Sequence, residues 1–492
     1  MIEILEPRIA PAALIDITTK NGSAIIKVHG SAESNDGLSV VGQADGSLKV
    51  QGLFGETFTV NGVAGTGPQT LPAITQDVTI DLGKGDDSVL MSNLQLGGKL
   101  TLKMGEGTNV VSIMSSTVGG AMSYTGGKGD DQLSTGGSAL AVGGALTLSM
   151  GAGSNKFQAA SGELSVGGGL TYTGGKDADL LQMNTTQATV AGALKFLAGA
   201  GANVLSFTGD ELQVGKSLLY LSGKNVSNDP GGLSIAGNKA VSIGTTLTYT
   251  NPIGQQTFAL SGDSVHIGGA VLLNASPGND STAAIGGTSV STGKVTFAST
   301  GGHLSFAVSA QQLSVAGAVM ARGARDLQIT GTGTIAGAVT LSSTTSLILS
   351  SGGNGQLIIG GALAYKANSA LTNASLIGNV TATGKTDFQL RSGTDNLTIE
   401  GSRFLKALTI NGGEGSDTIT IETQNEAGTT LFAGPVAINL GAGADTLTAG
   451  SMNANDHLTA LKKFLVTGGG GGGDTVSLLN GTNVFVEAPI VH

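Results

Sequence analysis

The sequence predicts an all-β fold, a right-handed parallel β-helix (solenoid) with three short strands per rung of roughly 24 residues. Three observations predict it. A unit opened by a small residue recurs at Gly97, Gly119, Gly143, Gly167, Ala191, Gly215, Gly244, Gly268, Gly293, Ala316, Ala336 and Gly360, and four consecutive spacings are 24. Self-similarity at a fixed period of this size marks stacked rungs that share a lengthwise core. Within each unit the apolar residues alternate with Ser, Thr and Gly in short bursts divided by glycine turns, which is the periodicity of strands. All five tyrosines, Tyr124, Tyr172, Tyr220, Tyr249 and Tyr365, fall at the sixth position of their units, as members of one column would.

Taken in order, residues 1–15 form a leader-like segment. Residues 16–72 show strand-like bursts without the period and are expected to cap the first rung or to form irregular first rungs, because an open terminal rung is an exposed sheet edge. The rod is expected over 73–488. It is regular over 80–214 and irregular over 215–404, where insertions such as 225–232 intervene. Longer rungs follow over 405–488. In the first burst of each unit the pairs Leu100 and Leu102, Met122 and Tyr124, Leu146 and Leu148, Leu170 and Tyr172 share one strand face. Second bursts such as Phe157 with Ala159, and third bursts such as Leu164 with Val166, repeat the alternation. The tyrosines read as an inward stack whose hydroxyls reach the turn, in preference to an aromatic binding track.

Composition narrows the function. With 82 Gly, 9 Pro and 40% hydrophobic residues the chain has enough apolar content for a core, and its glycine serves turns. The net charge of −10 disfavours nucleic acid, which needs basic stripes, and favours cations as partners. There is no Cys, so disulfides and thiolate metal sites are excluded. No apolar run reaches the roughly 18 residues of a membrane span.

The turn after the first strand reads Gly-x-Gly-x-Asp/Asn-x-apolar, as in residues 126–133, 412–420 and 469–477, with variants at 83–90, 105–112, 151–158, 199–206 and 441–448. Here the chain resembles the RTX repeat proteins of bacteria, whose GGxGxDxUx nonapeptides bind Ca²⁺ between stacked turns. The resemblance implies calcium as a cofactor. It is partial, since one copy occurs per three-strand rung and only one edge of the prism carries it. Rung spacing of about 4.8 Å divides the copies into two series. In Asp87, Asn109, Asp131, Asn155, Asp179 and Asn203 a carboxylate faces an amide, an arrangement that hydrogen-bonds without an ion and reads as a structural ladder. In Asp395, Asp417, Asp445 and Asp474 carboxylates face one another, which is unfavourable unless a cation lies between them. Calcium is expected here or, alternatively, solvated turn aspartates.

A polysaccharide-active enzyme would need clustered carboxylates with basic partners. The histidines His29, His266, His303, His457 and His492 are scattered, while Arg322 and Arg325 near Asp326, and Arg391 near Asp395, read as surface ion pairs. No enzyme is expected. A threonine ladder on the outer face of the first strands (Thr147, Thr171, Thr248, Thr250) resembles those of ice-binding solenoids but is interrupted by Lys103, Lys195, Leu219 and Leu221, and reads as a β-favouring solvent face.

Residues 5–12, LEPRIAPA, resemble the LEPR-type leader of large repetitive surface or secreted proteins of the Planctomycetes and Verrucomicrobia. That resemblance implies an extracellular or cell-surface bacterial location. The expected function is a non-catalytic structural solenoid that associates with itself end to end or laterally and adheres to surface glycans. A calcium-dependent adhesin is the alternative, and a polysaccharide-active β-helix enzyme the second alternative.

Overall fold

The computed structural model describes residues 14–492 apart from 30–34, 66, 224–230, 252–255, 276–280, 300–303, 353–354, 368–373, 424–427, 452–456, 471 and 480–482. The leader-like residues 5–12, His303 and most of the 225–232 insertion therefore lie outside the described residues. Regular structure among the described residues is β-strand throughout, arranged as a parallel β-solenoid with rungs of roughly 24 residues. The chain divides into two compact units, Met1–Ile243 and Gly244–His492.

The first unit begins with antiparallel pairs. Leu14–Lys20 pairs with Ser23–His29, Gly37–Gly42 with Leu48–Gly52, and Thr57–Val60 with Val63–Gly65. Two of these hairpins turn through Asn-Gly with both residues at positive φ (Asn21 51°, Gly22 78°; Asn61 49°, Gly62 78°), the conformation that matches strand twist and that Asn-Gly adopts most readily. Parallel stacking starts where Ser23–His29 and Gly37–Gly42 meet Val78–Asp81 and Ser88–Ser92.

From there three columns of strands build the unit. The first stacks Leu100, Met122, Leu146, Leu170, Leu194 and Leu218 in register. The second stacks Val111, Leu133, Phe157, Leu181 and Leu205, and the third Val118, Val142, Val166, Val190 and Val214. All of these side chains are buried, so alternate residues of every strand enter a core one side chain deep from each wall. The register also sets Leu102, Tyr124, Leu148, Tyr172, Phe196 and Tyr220 in one column, with Phe196 stacked between its neighbours at centroid distances of 5.1 and 5.3 Å. The common position of the tyrosines is thus a shared place in the core.

In the second unit the corresponding column runs Tyr249, Leu273, Phe297, Ala321, Leu341, Tyr365, Phe388, Ile410, Ile438 and Val466. The rungs at 408, 436 and 464 repeat at 28 residues and keep three separate strands, as in Val436–Asn439, Thr446–Ala449 and His457–Ala460. Elsewhere three strands per rung is too many. Gln256–Ile267, Ser281–Thr292 and Leu304–Val315 each join the second and third bursts into one 12-residue strand. Small residues at the bend, such as Gly262, Gly286, Gly287 and Ala310, let the backbone turn without breaking the ladder.

Candidate functional site

The Gly-x-Gly turns hold the only recurring polar group that enters the core, the Asp or Asn that follows them. The turns need glycine. Gly105 and Gly107 have φ of 78° and 127°, and a Cβ on Gly105 would sit 1.4 Å from the Gly83 carbonyl oxygen of the rung before. Two residues after each ladder Asx comes a buried core residue (Asp87 and Val89, Asp131 and Leu133, Asp395 and Leu397), so the Asx shares the inward face of its strand.

The structure brings all six residues of the first ladder together, in a column that starts at Asp36. Each side-chain Oδ1 accepts the backbone N–H of the ladder residue one rung earlier. Asp36 N–H donates to Asp87 (2.9 Å), Asp87 to Asn109 (3.1 Å), Asn109 to Asp131 (3.1 Å), Asp131 to Asn155 (3.0 Å) and Asp179 to Asn203 (2.9 Å). The column closes a gap that parallel strands leave at a corner, where a buried N–H would otherwise lack an acceptor.

Asp and Asn differ in their second atom. The amide Nδ2 of Asn155 donates to the turn carbonyls of Gly153 (2.9 Å) and Gly151 (3.3 Å), and Asn203 donates to Gly199 (2.8 Å). A carboxylate oxygen would be repelled by those carbonyls. In Asp131 and Asp179 the Oδ2 instead occupies the space where a Cβ would project from Gly126 or Gly174, at 1.8 and 1.9 Å from the position such an atom would take. On the Asn rungs that same place holds Met104, Met150 or Ala198. Two residues before the glycine stands a tyrosine. The hydroxyl of Tyr172 donates toward Asp179 Oδ1 and the Asn155 carbonyl, both at 3.1 Å. That of Tyr220 donates to the Asn203 carbonyl at 2.7 Å, whereas that of Tyr124 finds no partner. Sequence reasoning saw the alternation of Asp with Asn and the 48-residue spacing of Tyr124, Tyr172 and Tyr220, but not that Tyr, Gly and Asp form one unit. Their common phase was the signal.

The second series repeats the main-chain pattern without amides. Asp395 N–H donates to Asp417 Oδ1 (2.9 Å), Asp417 to Asp445 (2.8 Å) and Asp445 to Asp474 (3.1 Å). Asp395, Asp417 and Asp445 are 1–2% exposed, and Asp474 is half-buried. The alternative of solvated turn aspartates is therefore corrected. Their parity with Leu397, Ile419 and Leu447 turns them inward. Between the two series the ladder position passes to Gln256, whose N–H donates to Ser281 Oγ (2.9 Å), and then to Leu304.

Burial dominates the electrostatics. One carboxylate oxygen in each of Asp87, Asp131, Asp179, Asp417 and Asp445 has no hydrogen-bond partner. Desolvation pushes Asp87 up to about 7, with Asp36 and Asp86 adding repulsion against the N–H of Asp36. Burial likewise raises Asp131, Asp179 and Asp417 to about 6, opposed by hydrogen bonds from Asn109, from Asn155 and Tyr172, and from the Asp395 N–H respectively. Asp445 is also raised by burial. Burial, then the nearby Asp131 or Asp179, keeps the Tyr124 and Tyr172 hydroxyls protonated far above their ordinary range.

For a metal, the second series offers one uncommitted oxygen on each of Asp417 and Asp445, whereas calcium takes about six to eight oxygen ligands. Among the described residues no group of three or more His, Asp or Glu side chains is arranged to hold an ion. The remaining sequence candidates do not converge. Arg325 Nε lies 2.8 Å from Asp326 Oδ2, and Asp326 also accepts from Ser305 (3.0 Å) and Ser346 (2.7 Å) at a half-exposed surface. Arg391 is exposed at a positive φ of 79°, His266 and His492 are exposed, and His457 lies 3.3 Å from Thr429. No helix in the described residues is long and apolar enough to cross a membrane. Comparison with protein-family models, curated proteins and solved structures gives no match.

Proposed function

We propose that this chain is a non-catalytic structural solenoid, displayed outside a bacterial cell or on its surface, that extends by adding copies of itself end to end. One observation carries the reading. The strands Thr475–Leu478, Val484–Phe485 and Ile490–Val491 pair with the preceding rung on one side, and no described strand pairs with the other. Val484, Val486, Ile490 and Val491 stand exposed there, Val486 at 62%. Unpaired parallel strand edges template further strands, and a head-to-tail contact that does not close produces a fibre. The leader-like 5–12 segment supports export by resemblance alone. Light scattering and electron microscopy of concentrated protein test the assembly. Fibres or end-to-end oligomers are expected, and monomers at every concentration would reduce the role to display or spacing.

The second reading is a calcium-dependent adhesin resembling the RTX proteins. It is favoured by the uncommitted oxygens of Asp417 and Asp445 on successive rungs, with Asp395 and Asp474 flanking them. Calorimetric titration of the full chain decides it. Heat and a rise in unfolding temperature at millimolar Ca²⁺ support calcium, and their absence ends the reading.

A further inference from the structure

A groove of about 790 Å³ crosses the outer face of the second unit where the strands Gln256–Ile267, Ser281–Thr292, Leu304–Val315 and Val319–Ile335 bend. We propose that this groove binds a neutral, extended, β-linked glycan. The register places Ser261, Gly286, Ser309 and Thr330 side by side along it, one per rung, with the hydroxyls of Ser309 and Thr330 bonded to each other at 3.0 Å. Gln311 and Gln328, both exposed, add amide donors and acceptors at its margin.

The chemistry of the lining selects the ligand. It consists of Ser, Thr, Gln, Gly and Ala, so it supplies no cation for an acidic polymer and no apolar wall for a lipid or an aromatic compound. Hydroxyl and amide groups that both donate and accept suit a chain of sugar hydroxyls. The polar groups recur at the rung spacing of about 4.8 Å, a length comparable with one sugar residue of an extended β-linked chain. An α-linked chain coils and would leave the lane after a few residues. Gly286 keeps the lane open. A Cβ there would meet nothing closer than the Ser309 carbonyl oxygen at 3.6 Å, so the glycine is not required by the backbone and a side chain would project into the groove.

The site is independent of end-to-end assembly, so either proposal can fail while the other stands. The test is calorimetric titration of the full chain with cellohexaose, with hexagalacturonate as the acidic control. Saturable binding of cellohexaose is expected, with at least a tenfold loss in Gly286→Trp, a smaller loss in Gln328→Ala, and no binding of the acidic hexamer. Circular dichroism checks that Gly286→Trp folds; if it does not, the Gln311→Ala/Gln328→Ala double variant decides in its place. Absence of heat with cellohexaose, full affinity in the folded blocking variant or in the double variant, or equal binding of hexagalacturonate would overturn the proposal.

Discussion

Over residues 87–203 the inward column alternates carboxylate with amide, whereas over 395–474 every rung contributes a carboxylate. Both columns make the same bond, a backbone N–H donated to Oδ1 of the next rung at 2.8–3.1 Å. The main chain therefore needs an acceptor and is indifferent to charge. Charge is managed separately. In the first unit amides separate the carboxylates, and Tyr172 brings a hydroxyl to Asp179. In the second, Ile410 stands where that tyrosine would be, and neighbouring carboxylates add to the desolvation that raises Asp417.

The change expected to break this comparison most strongly is Gly174→Met. Its side chain would enter the space of Asp179 Oδ2, and a loss of about 3 kcal/mol or more is expected from overpacking against a buried polar group. Adding Asp179→Asn should restore part of that stability, because Met150 and Asn155 coexist one rung away. Urea unfolding of both variants measures it. If the double variant is no better than the single one, the coupling of glycine to aspartate is absent.

Next in size is Asp417→Ala, which leaves the buried Asp395 N–H without its acceptor and should cost about 1–3 kcal/mol. Asp417→Asn keeps the acceptor and removes a buried charge. It should stabilise the fold at pH 8 by on the order of 1 kcal/mol after solvent screening, with the gain vanishing at pH 4. A gain of equal size at both pH values would show that charge is not its origin.

The pH dependence of the native protein follows from the same groups. Asp87, Asp131 and Asp179 titrate near 6–7 when folded and near 3.8 when unfolded. Between about pH 4 and 7 the folded state thus binds more protons, so stability is greatest at the acid end of that window and falls as pH rises through it. Thermal unfolding at pH 4.5 and 8 reads the difference. The smallest expected contrast lies within the tyrosine column. Tyr172→Phe loses two hydrogen bonds and about 1 kcal/mol, while Tyr124→Phe, whose hydroxyl is unpartnered, should be near neutral.

Much of this architecture was legible because stacking converts sequence period into contact. Tyr124, Tyr172 and Tyr220 sit 48 residues apart and fall in one column, since the two intervening rungs return the chain to the same face. The hairpins of residues 14–65 were missed although Asn21-Gly22 and Asn61-Gly62 carry the strongest short-range hairpin signal. The continuous strands of residues 256–315 were overcounted, because small residues that usually end a strand serve there as bends. The burial of Asp395, Asp417 and Asp445 was hidden by the expectation that turn acids face water, yet their two-residue offset from Leu397, Ile419 and Leu447 already placed them on the core face.

The claim on which the account rests is that ladder carboxylates lie inside the solenoid with one oxygen bonded to main chain and the other bare. Carbon-13 NMR titration of the Asp131 side-chain carboxyl tests it most directly. The account predicts a midpoint near 6 that moves little with added salt, as for a group shielded from solvent. A midpoint near 3.8, the value of a free aspartate, would contradict it.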